Sequence, residues 1–180
     1  MALSLVGCAA PDVRSPESVR LAPRAEMPRF QLEGRLQVRD GERTAAVGVD
    51  WQHDGGRDDW LFTGPLGQGL ARIEADAGGA RMTLADGRRS EAASAAELAE
   101  DALGVSAPFV QLPLWITARL RDGAEVRELD PSGRLRRVVD QGWTIEYIEY
   151  AGDGPDAPPR KIDVHRGETR LRLIVDAWNP

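Results

Sequence analysis

The feature that most constrains this chain is a two-residue hydrophobic period beginning at Phe30. Phe30, Leu32, Gly34, Leu36 and Val38 fall on one side of an extended backbone, and Gln31, Glu33, Arg35, Gln37 and Arg39 fall on the other. Successive side chains of a strand point to opposite faces, so this stretch makes a sheet with one buried face and one wet face. Asp40-Gly41 signals a turn, after which the period returns in Val47, Val49 and Trp51 and again in Trp60 and Phe62. It continues with Ala71, Ile73 and Ala75, then with Met82 and Leu84 before Asp86-Gly87. Later in the chain, turns at Asp122-Gly123 and Ser132-Gly133 lead to Trp143, Ile145 and Tyr147. A polar loop over 152–160 precedes Ile162 and Val164, and a last strand carries Leu171, Leu173, Val175 and Ala177 on its apolar face.

The period changes once, in mid-chain. Ser94-Ala95-Ala96-Glu97 is a capping box, Ala95, Leu98, Ala99, Ala102 and Leu103 follow at helical spacing, and Gly104 is a natural stop. In the apolar stretch 109–120, Pro113 suits the first turn of a short helix containing Leu112, Leu114, Trp115 and Ile116. The predicted fold is mainly β with α: about nine to eleven antiparallel strands with short helices inserted mid-chain. A sheet apolar on one face throughout must curve around something, and two short helices suffice to plug it or to line a cavity with it.

Composition excludes several functions. At 180 residues and 42% hydrophobic content the chain can bury the core of one domain. A net charge of −6 and a pI near 5.0 argue against a nucleic-acid partner, which requires clustered positive charge. Arg134-Leu135-Arg136-Arg137, the densest basic run, reads as a solvated strand face. Cys8 is the single cysteine, so neither an internal disulfide nor a thiolate metal cage is expected. No apolar run reaches the roughly 18–20 residues of a membrane-spanning helix. His53 and His165 lie in strand patterns without a recognisable partner motif, there is no G-x-S-x-G, and Asp58-Asp59 point to opposite faces. The glycines at 64, 67 and 69 lead into a strand, where a phosphate cradle would lead into a helix. The chain is therefore expected to be no enzyme and to hold no metal.

Residues 1–8, MALSLVGC, read as the remnant of a lipoprotein signal peptide, with Leu5-Val6-Gly7-Cys8 similar to a bacterial lipobox. The alternative is an ordinary buried cysteine. Residues 9–28, with Pro11, Pro16, Pro23 and Pro28, read as a flexible tether spanning on the order of 60 Å if extended at about 3.1 Å per residue. Residues 29–180 form the folded domain. Between two strands, Gly64-Pro65-Leu66-Gly67-Gln68 puts a bare leucine where a turn ordinarily carries a polar residue. The alternative there is a leucine folded back onto the sheet.

These pieces form a series: the lipobox cysteine, the tether, Phe30 to Arg39 as F-x-L-E-G-R-L-x-V-R, Trp51-Gln52-His53, Gly64 to Gln68, Leu84-Ala85-Asp86-Gly87, Leu112 to Ile116, Gly142-Trp143, Tyr147 and Tyr150, and Leu171 to Val175 with Trp178. In order and spacing, over about residues 30–178, the chain resembles the LolB family, the outer-membrane lipoprotein receptors of Gram-negative bacteria. The resemblance implies an incomplete antiparallel β-barrel covered by helices, with an apolar cavity for acyl chains. It also implies that the chain accepts lipoproteins from the soluble periplasmic carrier LolA and inserts them into the inner leaflet of the outer membrane, anchored there by lipid on Cys8. Ala9, where an aspartate typically marks inner-membrane retention, agrees with that location by analogy.

By the same resemblance Leu66, flanked by Pro65 and Gly67, is the tip of the membrane-insertion loop. Trp51, Trp60, Phe62, Trp115, Trp143, Ile145, Tyr147, Leu171 and Leu173, on the apolar faces, are candidates for the acyl-chain cavity; the alternative for most of them is ordinary core, as in any barrel. No cofactor is expected beyond the acyl chains of the cargo as ligand, and a monomer is expected. With no ATP motif, transfer would run down an affinity gradient. Two other readings compete: a lipoprotein scaffold without lipid transfer, and a hydrolase of envelope lipid lacking any visible nucleophile.

Overall fold

The computed structural model describes residues 19–179. Eleven strands form one antiparallel sheet in the order β6-β5-β4-β3-β2-β1-β11-β10-β9-β8-β7. They are β1 (Arg29–Asp40), β2 (Arg43–Asp54), β3 (Arg57–Thr63), β4 (Gly69–Asp76), β5 (Gly79–Leu84), β6 (Arg89–Ala92), β7 (Glu125–Leu129), β8 (Leu135–Asp140), β9 (Trp143–Tyr150), β10 (Pro159–Arg166) and β11 (Thr169–Asn179). Each strand neighbours the next in sequence except β6 and β7, and β1 also pairs β11 at the centre of the sheet. The two edges, β6 and β7, do not pair with each other, so the barrel is incomplete, as expected.

The segment joining those edges holds α1 (Ala95–Leu103) and α2 (Leu112–Ile116). Ser94 caps α1: its Oγ accepts the Glu97 amide and donates to Glu97 Oε1 at 2.9 Å. At the other end the Gly104 amide donates to Glu100 O at 2.7 Å. Pro113 occupies the first turn of α2, where its missing N–H costs nothing. Helix α1 packs against β4, β5 and β6, while α2 is bonded to β8 and β9, so the helices cover the concave face where the sheet stays open.

The alternating residues meet on that face. Leu32, Phe62, Ile145, Ile162 and Val164 are fully buried, and with Trp51, Ile73, Leu98, Phe109 and Trp115 they belong to one continuous core. Ala177 departs from its expected side and is exposed. The register between β1 and β11 shifts at Glu33/Gly34, so one extra residue turns Ala177 outward and Trp178 inward against Phe30. Gly34 permits the close crossing: a Cβ there would lie 2.3 Å from Ile174 O. The polar loop predicted over 152–160 is also shorter, since Pro159 and Arg160 already belong to β10.

Strand directions sort the connections into two ends. The turns 41–42, 64–68, 141–142 and 167–168 lie at one end, and 55–56, 130–134 and 151–158 lie at the other. Cys8 and residues 9–18 of the expected tether lie outside the described residues. Its remaining part is held at the second end. The Ala22 amide donates to Gly133 O and the Gly55 amide to Pro28 O. Arg24 donates to the carbonyls of Pro155 and Ala157, each at 2.8 Å, and Glu26 accepts from Arg119 at 2.8 Å.

Candidate functional site

Leu66 is 93% exposed at the tip of the β3–β4 hairpin. The loop is rigidly specified. Pro65 presets its own φ, and the Gly67 amide closes a turn onto Gly64 O at 2.9 Å. Gly67 then takes φ +79°, a left-handed conformation that completes a three-residue hairpin loop. The Gly64 amide donates to Gln68 O at 2.8 Å, and the Gln68 side chain folds back to accept the Leu66 amide at 3.1 Å. These bonds hold the leucine side chain out in water, so the folded-back alternative does not hold.

The nine cavity candidates are all buried, eight on strands of the sheet and Trp115 on α2 facing it. The structure groups them in two regions. Trp51 and Trp60 lie 5.5 Å apart on β2 and β3, and Phe109, from the segment between the helices, stands edge-on to Trp60 at 6.1 Å and to Phe62 at 5.9 Å. On the other side Trp115 of α2 lies 6.1 Å from Trp143. There the Trp115 indole donates to the buried carboxylate of Asp140 at 2.8 Å, and Arg121 donates to the same carboxylate at 2.7 Å. The Tyr147 hydroxyl donates to Trp115 O at 3.1 Å. Burial pushes the Tyr147 and Tyr150 phenols above their ordinary range, which keeps both hydroxyls protonated as donors. Leu171 and Leu173 sit on β11, at the middle of the sheet.

Trp60 differs from Trp51 and Trp115. Among the described residues its indole N–H is the buried side-chain polar atom with no hydrogen-bond partner. An unsatisfied buried donor costs about 1–3 kcal/mol. Trp51, its neighbour, donates to Asp58 Oδ1 at 2.7 Å.

Asp58 also corrects the reading of His53. The two are paired residues across the β2–β3 hairpin, with His53 Nδ1 and Asp58 Oδ1 2.8 Å apart, and His53 stacks on Phe30 at 5.0 Å. Counting back from the Gly55-Gly56 turn would have revealed this pair. The same count separates Asp59, which faces outward and pairs with Arg72. The carboxylate thus fixes an indole and an imidazole at one mouth of the barrel. A cleft of about 870 Å³ opens beside them, lined by Arg29, Gln52, Asp54 and Glu74 together with the apolar Phe30, Ala75 and Ala80. A second, of about 460 Å³, is lined by Gln37, Arg39, Asp163, Arg170 and Arg172 on the outer face, with Leu171 the one cavity candidate that reaches it. Among the described residues no three His, Cys, Asp or Glu side chains cluster as metal ligands would.

Phe109 and Asp140 are the residues that sequence reasoning missed. Phe109 is one apolar residue in an apolar stretch, and Asp140 precedes Gln141-Gly142, where an acid reads as turn chemistry.

Known proteins resemble the chain along nearly its whole length. The family model described as outer membrane lipoprotein LolB matches residues 28–178. The outer-membrane lipoprotein LolB of Azoarcus sp. is 38% identical over 174 residues, covering 97% of this chain and 89% of its own length. That of Thiobacillus denitrificans is 39% identical over 183 residues, covering 99% and 93%. That of Xanthomonas campestris pv. campestris is 31% identical over 190 residues, covering 97% and 83%. A crystal structure of a LolA superfamily protein from Nitrosomonas europaea superposes with a TM-score of 0.49 at 8% identity, covering 87% of each chain.

Proposed function

Because the chain belongs to the LolB family of outer membrane lipoproteins, we propose that it is an outer-membrane receptor that takes lipoproteins from a LolA-type periplasmic carrier and inserts them into the inner leaflet. Cys8 carries the lipid that anchors it there, facing the periplasm. The work is binding and transfer without bond chemistry.

The need for such a protein is physical. Burying a methylene is worth about 0.8 kcal/mol, so a long acyl chain released into water would cost on the order of 10 kcal/mol. Cargo must therefore pass between apolar interiors and finish in the membrane as the tightest acceptor. In this reading the interior between sheet and helices, where Trp51, Trp60, Phe62, Trp115, Trp143, Ile145, Tyr147, Leu171 and Leu173 lie, receives the acyl chains. The helical segment over the open edges is the part that yields, since it is joined to the sheet by side chains and not by a strand ladder.

Leu66 is the observation that carries the proposal. A leucine held in water by a braced hairpin has no role in stability. Its burial in a bilayer contributes about 1.5–3 kcal/mol, too little to hold the domain but enough to seat the loop in the leaflet where cargo enters. The test uses the full chain with Cys8→Ser, mixed with a carrier loaded with a labelled lipoprotein, and compares Leu66 with Leu66→Glu. Label is expected to move to both proteins, with onward delivery to liposomes failing only for Leu66→Glu. No movement to either would refute the receptor function.

A further inference from the structure

We propose that the indole N–H of Trp60 is the donor that recognises a carbonyl oxygen at the head of a bound acyl chain, in its ester or amide linkage. The inference rests on the acceptor reading above and adds to it a polar contact inside the apolar interior.

Three of the chain's other four tryptophans donate to an acceptor of the fold. Trp51 donates to Asp58 at 2.7 Å, Trp115 to Asp140 at 2.8 Å and Trp178 to Pro159 O at 2.9 Å. Each of these N–H groups has a fixed acceptor supplied by the fold. Trp60 is 97% buried (3% exposed) and its N–H has none. A phenylalanine at this position would fill the core without stranding a donor. The acceptor is therefore one that the folded chain alone does not supply.

The surroundings define what that acceptor can be. Trp60 points inward from β3 and touches the rings of Trp51 and Phe109. Its cross-strand partner on β4 is Ile73, also buried. A charged phosphate brought among these groups would lose its hydration with no cation to replace it. A neutral carbonyl at the end of a hydrocarbon chain fits: the chain takes apolar contacts and its one oxygen takes the N–H. Phe109 is the ring that now occupies the space beside Trp60, and it comes from the segment between α1 and α2, not from a strand. Its withdrawal opens room next to the donor without breaking the sheet.

The carbonyl has two sources on a lipoprotein, the glyceryl esters and the N-terminal amide. The test therefore uses three lipopeptides: ester-linked with a free amine, ether-linked with an N-acyl amide, and ether-linked with a free amine. They are added to the full chain carrying Cys8→Ser and indole ¹⁵N labels, with the Trp60 signal assigned by its through-space contacts to Ile73 and Phe109. The Trp60 N–H proton is expected to move downfield with at least one carbonyl-bearing lipid and not with the third. A response to the first alone identifies the ester, and a response to the second alone identifies the amide. Trp60→Phe should weaken the responding lipid about 5–10-fold, the equivalent of one neutral hydrogen bond, and leave the third unchanged. Binding of all three with no movement of the Trp60 signal overturns the inference while leaving the acceptor reading standing. Binding of none overturns both. The signal in the native protein is read without relying on a variant that folds.

Discussion

The two sides of the helical cover are fastened differently. On the β8–β9 side, α2 is held by directional bonds: the Trp115 indole and Arg121 meet on Asp140, and Tyr147 donates to the Trp115 carbonyl. On the β3 side the contacts are apolar: α1 buries Leu98 and Ala99 against β4 to β6, and Phe109 sets the edges of one ring against Trp60 and Phe62. Polar bonds in a buried site are strong when complete and fail together when one partner leaves. Ring contacts yield gradually and re-form in other arrangements. The comparison separates two kinds of fastening: directional bonds fix α2 to β8 and β9, whereas apolar contacts alone seat Phe109 against β3.

The largest expected effect breaks the bonded side. Asp140→Ala strands the Trp115 N–H and leaves Arg121 without its counter-charge, which should cost about 3 kcal/mol in urea unfolding. A loss below about 1 kcal/mol would show that the two sides are not fastened differently. A smaller effect sharpens the ring-held side. Phe109→Leu keeps an apolar plug but removes the ring edge, and should cost about 1–1.5 kcal/mol. It should also speed lipid uptake and raise hydrogen exchange at residues 105–111 more than at 112–118. Uptake slowed by this change would place the opening elsewhere.

The last effect is read against pH. The Tyr147 phenol is raised by burial, so above about pH 10 the unfolded chain ionises it and the folded chain does not. Its share of stability is complete below pH 10 and falls as pH rises beyond it, by about 1.4 kcal/mol at pH 11. Tyr147→Phe should flatten that alkaline limb. An unchanged limb would mean that the hydroxyl is not shielded under α2.

What the sequence showed of all this was set by distance along the chain. Strand alternation, the Ser94–Glu97 cap, Pro113 in a first turn and the exposed tip at Leu66 are local, because turn chemistry and period are written within a few residues. Ala177 was misplaced because its facing depends on a bulge opposite Gly34, far away in sequence. His53 and Asp58 were missed although only a hairpin separates them. The orphan of Trp60 and the latch on Asp140 could not be read, since a missing or present acceptor is a fact of packing. The same holds for residues 20–28, whose prolines suggest free chain while Arg24 and Ala22 bind carbonyls on loops more than a hundred residues later.

One feature of the sheet order bears on how the protein is made. β1 sits between β2 and β11, and Arg35 of β1 reaches Asp176, 141 positions later. A chain emerging from its N-terminal end can build β1 to β6 early, but the far edge of β1 waits for the last strand. Until β11 arrives, Leu32, Leu36 and Val38 border an open row of backbone donors and acceptors, the edge at which chains pair wrongly with one another. The barrel is therefore slow to become safe, and during synthesis and export its most central strand is the one most in need of a chaperone.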